Sequence, residues 1–200
     1  GKPLNVYAHE MFYAPLQMLT TTFNPILEMP VKNIAPTERE NYFRLQLLRG
    51  YVHDPGAAMF GGVAGHAGLF SDAYDLAKLY QMLLNGGEFN GTRYLKKETI
   101  DLFTAYHSDF SRRGLGFDKP EKDNAMRKDP YPTIGASPAT YGHTGFTGTC
   151  VWVDPSQNLV YIFLSNRVCP DGGSNTKLGQ LNVRPNIQET IYKAITATQN

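Results

Sequence analysis

The sequence predicts an α+β fold of the broad α/β class, a sandwich in which an antiparallel sheet is flanked by helices. Three observations carry this. Thr149 to Val153 and Leu159 to Leu164 are rich in β-branched and aromatic residues, and Asp154-Pro155-Ser156-Gln157-Asn158 between them supplies turn chemistry. Leu76, Leu79, Tyr80 and Leu83 recur at i, i+3, i+4 and i+7 between a capping Ser71 and an Asn85-Gly86-Gly87 stop. Ile187 to Ala197 sets Ile187, Ile191, Ala194 and Ile195 on one side of a closing helix.

The hairpin is the centre of the prediction. Leu159 to Leu164 is almost continuously apolar, which predicts a central strand with helices above and below it. A turn near Ser156 puts Cys150 opposite Phe163 and leaves Cys169 beyond the paired region, so both cysteines read as free thiols. Gly114 to Asp118 reads as a further short strand, and Pro120 to Ala139 as a polar, proline-bearing loop overhanging the later strands.

Upstream, Pro3 to Ala14 is a helix with Leu4, Tyr7, Ala8, Met11 and Phe12 on one face, stopped by Pro15. Thr20 to Pro36 carries three prolines and reads as an irregular surface crossing. Thr37 with Glu40 matches a capping box and predicts a short helix from Glu38 to Leu47, turning Phe43, Leu47 and Leu48 inward. His53-Asp54-Pro55-Gly56 is a turn leading into a glycine-rich loop. Neighbours in sequence point apart on a strand, so His53 and Asp54 are not read as half of a catalytic triad. A helix over Lys97 to Thr104 offers Ile100, Leu102 and Phe103 to the core.

Composition bounds the partners. A chain of 200 residues, 42% hydrophobic, suffices for one well-filled core. A formal charge of +1 and the lack of any Lys/Arg-rich run argue against a nucleic-acid partner or an anionic membrane surface. No apolar run approaches the ~20 residues of a membrane span. The glycine-rich loop has no lysine or threonine in phosphate-loop spacing.

The candidate chemistry lies at the hairpin's entrance. In Gly142-His143-Thr144-Gly145-Phe146-Thr147-Gly148, three glycines allow close approach of backbone to a ligand, while His143 and Thr144 supply a titratable nitrogen and a hydroxyl. A bulged strand start would use the same residue types.

This stretch resembles the third box, Lys/His-Thr-Gly, of the penicillin-binding-protein and class C β-lactamase-like serine hydrolases, followed by their Trp-Val-Asp-Pro hairpin at Trp152 to Pro155. Gly61-Gly62-Val63-Ala64-Gly65-His66-Ala67-Gly68-Leu69-Phe70-Ser71, with Asp75 to Lys78 and Met82 to Gly87, is similar to the same family's loop and helix between its second and third boxes. The resemblance implies a β-lactamase/transpeptidase-like fold and acyl-enzyme chemistry, in which a serine attacks, a lysine three residues on takes its proton and a tyrosine assists the leaving group. It needs no cofactor.

The only Ser-x-x-Lys here, Ser174-Asn175-Thr176-Lys177, follows the hairpin and reads as a chance match, and no Tyr-x-Asn occurs. The expectation is therefore that residues 1–200 are the C-terminal portion of one such domain, mainly helical over 1–110 and sheet with closing helix over 111–200. The strands and nucleophile helix that come first would be missing, and the fragment would be inactive alone.

By the same resemblance, His143, Thr144 and Gly145 would form the third box, with His143 giving charge or a proton and Thr144 bonding a substrate carboxylate or carbonyl. The backbone N–H of Phe146 would be one of two oxyanion-hole donors. His66 could reach substrate or could tie its loop to itself. Asp171, after Pro170, stands where class C enzymes carry asparagine and would repel a substrate carboxylate.

Histidine in the box resembles the carboxypeptidase, D-aminopeptidase and esterase branches. The nearest resemblance, a module following a family 3 β-N-acetylglucosaminidase, implies an upstream glycoside hydrolase, cell-wall-derived peptide or amide substrates and a periplasmic or other extracytoplasmic address. Uncovered core would favour association, such as a homo-oligomer. Two other function classes are weighed. One is a non-catalytic binding module that keeps the pocket; the other is a metal enzyme using His53, His66 and His143, which lack ligand spacing.

Overall fold

The computed structural model describes residues 1–199 and forms two compact units interleaved along the chain. The first comprises Gly1–Leu79, Phe146–Thr149 and Leu164–Thr176; the second comprises Tyr80–Gly145, Cys150–Phe163 and the chain from Lys177 onward. The elements are a mixture of helices and small antiparallel sheets, the α+β architecture predicted.

In the first unit, helix α1 (Leu4–Ala8) runs into a π-helical turn over His9–Tyr13. The wider turn, with Ala14 N–H donating to His9 O at 2.9 Å, changes the helical period. The apolar face expected from even 3.6-residue spacing is not buried: Leu4, Tyr7 and Met11 are exposed, while Tyr13 and Leu16 enter the core. Strand β1 (Thr22–Phe23) and two 3₁₀ turns follow. Phe23, Pro25 and Ile34 are buried, so this stretch is more than a surface crossing.

The helix expected from Glu38 to Leu47 does not form. Pro36–Arg39 is strand β2, pairing antiparallel with β3 (Leu47–Arg49). Glu40 does cap backbone, but of a loop: its carboxylate accepts the N–H groups of Tyr42, Phe43 and Arg44, and the Arg44 guanidinium at 2.8 Å. Leu48 is buried as expected, whereas Phe43 and Leu47 are exposed.

Helix α2 (Pro55–Met59) is capped by Asp54, which accepts Ala57 N–H at 2.7 Å. Strand β4 (Leu69–Phe70) closes antiparallel on β1. Helix α3 (Ala73–Leu84) runs from the first unit into the second. Its cap is Asp72, which accepts Asp75 N–H at 2.8 Å, one residue later than expected; Ser71 instead hydrogen-bonds Thr21 at 2.6 Å. Gly86 and Gly87, at φ +67° and +95°, end the helix as the sequence implies.

In the second unit, β5 (Glu88–Phe89) and β6 (Thr92–Arg93) form a tight hairpin, and α4 spans Lys97–Thr104 as predicted. Ile100 is buried, but Leu102 is exposed because it lies about 200° around the helix from Ile100; Phe103 is exposed too.

The main sheet has the order β7 (Tyr141–Thr144), β8 (Cys150–Asp154), β9 (Leu159–Phe163). Cys150 pairs with Phe163, as the turn residues dictate, and both cysteines are free. The central strand is β8, buried throughout, rather than β9, which is half-buried at the sheet edge because β7 takes the other side of β8.

Gly114 to Asp118 contributes one bridge, between Asp118 and Gly142, instead of a strand. A short helix, α5 (Lys177–Gln180), precedes α6 (Val183–Gln199). Ile191 packs on the Cys150, Trp152 and Tyr161 core, and Tyr192 donates to Asp154 at 2.8 Å. The buried face of α6 thus includes Gln188 and Tyr192, while Ile187 and Ala194 turn outward, a rotation from the expected face.

Candidate functional site

Strand β7 presents the predicted third box. Tyr141 and Gly142 are buried, His143 is exposed and Thr144 half-buried. Gly142 exchanges backbone hydrogen bonds with Asp118 at 2.7 and 2.9 Å while pairing with Trp152. A Cβ on Gly142 would lie 2.0 Å from the Val151 carbonyl oxygen, so glycine is what lets the chains on either side close on β7.

His143 is held at both ring nitrogens. Nδ1 is 2.7 Å from Thr144 O, and Nε2 is 2.8 Å from an Arg113 guanidinium nitrogen. Arginine only donates, so Nε2 is the acceptor and Nδ1 carries the proton donated to Thr144 O. Arg113 thus sets a permanent positive charge beside His143.

A wider network surrounds His143 and Thr144. Arg112 binds Asp118 at 2.8 Å and Glu121 at 2.8 Å, and Arg113 lies 3.8 Å from Asp118. Tyr131 donates to Asp118 at 2.8 Å and is hydrogen-bonded by the Thr144 side chain. Burial, reinforced by Asp118, pushes the Tyr131 phenol up to about 12. Burial would raise Asp118 too, but Arg112 and Tyr131 outweigh it and hold the carboxyl below the ordinary range.

Sequence reasoning missed Arg112, Arg113, Asp118 and Tyr131. The available signal was the Arg-Arg pair directly before the segment read as a strand, which becomes informative only once that segment is laid beside Gly142.

Phe146 belongs to the first unit. Its ring stacks on His53 with centroids 5.1 Å apart at 30°, and the Arg167 guanidinium lies 4.5 Å from the ring centre. Arg167 also donates to Phe146 O at 2.8 Å. His53 Nε2 lies 3.3 Å from Oε1 of the buried Glu38, so this histidine has a defined seat that turn chemistry alone did not suggest.

His66 lies with Nε2 3.1 Å from the Asp54 carboxylate that caps α2, bracing the glycine-rich loop, although its side chain stays 59% exposed. The Ala57 N–H, then His66, holds Asp54 below the usual carboxylate range. Asp171 is exposed and accepts the Ser174 hydroxyl, and α5 begins only at Lys177, so Ser174 does not open a buried helix as a family nucleophile would. Three histidines therefore sit in three separate settings. Among the described residues no group of three or more His, Cys, Asp or Glu side chains gathers as a metal site requires, and no helix is long and apolar enough to cross a membrane.

The β-lactamase family model matches residues 1–181. A protein of Escherichia coli (strain K12), named as a candidate D-alanyl-D-alanine carboxypeptidase, is 38% identical over 179 residues, covering 84% of this chain and 41% of that protein. A relative of the same name from Salmonella enteritidis is 38% identical over 82% of this chain and 40% of its own length. The chain thus spans less than half the length of these relatives.

Among solved structures, a β-lactamase from Mycobacterium bovis superposes with a TM-score of 0.60 at 19% identity, covering 96% of this chain and 56% of that one. A penicillin-binding-protein homologue from Caulobacter crescentus gives 0.55 at 18% identity, over 88% of this chain and 49% of that one. These two share the fold. With the family model matching residues 1–181, the chain belongs to the β-lactamase family.

Proposed function

We propose that this chain is the later part of a serine acyl hydrolase that works through an acyl-enzyme and releases the terminal residue of cell-wall-derived peptides outside the cytoplasm. The observation that carries the reading is the His143-Thr144-Gly145 box at the end of β7, tied through Thr144 to Tyr131 and through His143 to Arg113. The carboxypeptidase name of the relatives supports the substrate class.

In this reading the nucleophilic serine and its lysine precede Gly1, in the length the relatives have and this chain does not. The serine attacks the substrate carbonyl, and the N–H of Phe146 donates to the oxyanion that develops. Removing one such donor costs on the order of 10²- to 10³-fold in rate. The Thr144 hydroxyl bonds the substrate's terminal carboxylate, and Arg113 supplies the fixed positive charge that a lysine gives in related boxes. His143, neutral in its pairing with Arg113, orients that guanidinium rather than moving a proton.

His66 and Asp171 take part in substrate binding, and Asp171 weakens binding of anionic β-lactams. The upstream region, or a second copy, covers apolar side chains such as Leu19, Leu27 and Phe60, which are exposed here. A glycoside hydrolase module upstream would supply muropeptides to the same site.

Intact mass spectrometry of the whole protein after incubation with a penicillin tests the proposal. A stable mass gain mapping to a serine before Gly1 is expected, with none on the 200-residue chain alone. An adduct on that chain would overturn the upstream nucleophile. A folded whole protein with no adduct and no upstream Ser-x-x-Lys would make this a non-catalytic binding module.

A further inference from the structure

We infer that His53, seated on the buried carboxylate of Glu38, is a positioning residue that holds Phe146 and thereby aims its backbone N–H. The inference rests on the assignment of that N–H to the oxyanion hole.

Phe146 follows the strand in a loop, and its side chain is exposed at 63%, so the hydrophobic core does not anchor it. Two other contacts do. Arg167 holds its carbonyl oxygen at 2.8 Å, and His53 holds its ring in a stack with centroids 5.1 Å apart. Carbonyl carbon, Cβ and nitrogen are three substituents of one tetrahedral Cα. With the first two held, the position of the nitrogen follows, and only rotation about the N–Cα bond is left to aim its hydrogen.

His53 is itself unable to drift. Arg44 donates to the carbonyl oxygens of Val52 and His53 at 2.7 and 2.9 Å, and is anchored in turn on Glu40. At the ring, Nε2 faces Glu38 Oε1 at 3.3 Å. Glu38 is 2% exposed and its Oε1 is a buried acceptor with no well-aligned hydrogen-bond partner among the described residues; the imidazole faces it. On its other side, a Cβ at Gly172 would come within 2.9 Å of Glu38 Oε2, so the carboxylate is confined from there too. A buried acid left without a purely structural bond, aimed at an imidazole that stacks on the donor residue, is the arrangement of a support for a catalytic group.

The test uses the whole protein and a penicillin, separating the acylation rate at saturation from the half-saturating concentration. His53→Ala is expected to slow acylation about 10-fold, below the ceiling for losing the donor outright, with half-saturation changed less than about 2-fold. His53→Phe, which keeps a ring to stack, restores most of the rate. Phe146→Ala, at an exposed position that leaves its own N–H in place, shows at least the loss of His53→Ala, since it also removes the Arg167 contact with the ring. The double variant is no slower than Phe146→Ala alone, because that change already removes the ring on which His53 stacks.

Unchanged acylation in His53→Ala, failure of His53→Phe to recover in a protein that melts normally, or additive losses in the double variant would each overturn the inference. Should His53→Ala not fold, Phe146→Ala and His53→Phe decide the matter. A wild type that never acylates removes the acyl-hydrolase reading and this one together; a wild type that acylates with an indifferent His53 removes this one alone.

Discussion

Arg113 shows how far a single side chain can redirect a reading made from residue types. A histidine standing where related boxes carry lysine suggests a titratable charge, yet its Nε2 is occupied by a guanidinium 30 residues earlier in the chain. Nothing local to the box announces that partner. If Arg113 is the charge that meets a substrate carboxylate, Arg113→Ala in the whole protein should lower kcat/KM about 10- to 100-fold on a peptide ending in a free carboxylate, matching a charged hydrogen bond of ~1.5–3 kcal/mol. The matching peptide amide should lose less than about 3-fold, and Arg113→Lys should fall between because a lysine keeps charge without the planar fork. Equal losses on both peptides would mean that Arg113 serves only to orient His143. Competition assays with the peptide pair give the ratio directly. His53 makes the complementary point: beside Asp54 the sequence reads it as turn chemistry, and it cannot reveal Phe146 on the ring face and Glu38 at the ring nitrogen.

Among elements, those whose signal is local were legible. The hairpin's register followed from its turn residues, and α3 and α4 from spacing and stops. Elements decided by distant partners were not. Thr37 to Glu40 satisfies the pattern of a helix start, but β3 offers β2 a ladder and Glu40 spends its carboxylate on a loop. The apolar run of β9 suggested a central strand, although order in a sheet depends on which third strand arrives, and β7 arrives beside β8. Gly142 is the residue on which that arrival depends. Gly142→Ala would put a methyl group 2.0 Å from the Val151 carbonyl and 2.8 Å from the Trp152 ring, neither of which can yield without opening the sheet. A loss of about 3 kcal/mol or more is expected, read as a lower Tm by circular dichroism. Gly65→Ala, with nothing within 4 Å of the added carbon, is the control and should stay within about 0.5 kcal/mol. Equal Tm values for the two variants would refute the account of β7.

For the molecule as a whole, near-neutral net charge hides an uneven use of carboxylates. The family resemblance and the α+β class were readable from sequence because they live in motifs and periodicity; the pairing of buried acids was not, because it needs coordinates. Burial would raise Glu40, yet Arg44 and the N–H groups of Phe43, Arg44 and Tyr42 bring it down to about 2. Burial likewise works against Asp75, but Thr20, Lys78 and Thr21 keep it below the ordinary range, as Arg112 does for Asp118. Each of these groups binds its proton more weakly folded than unfolded. Their contribution is therefore present in full above the unfolded carboxylate range of about 4, and is lost as pH falls through the folded values. Stability measured by urea unfolding should stay nearly level from pH 7 to about 5 as far as these groups govern it, then decline steadily toward pH 2. Glu40→Gln should be less stable than wild type at pH 7, since it gives up ionic bonds to Arg44 and the loop, and the gap should close as acid protonates Glu40 in the wild type. A gap that stays constant from pH 7 to pH 2 would show that Glu40 acts by shape and neutral hydrogen bonding, and that the acid sensitivity arises elsewhere.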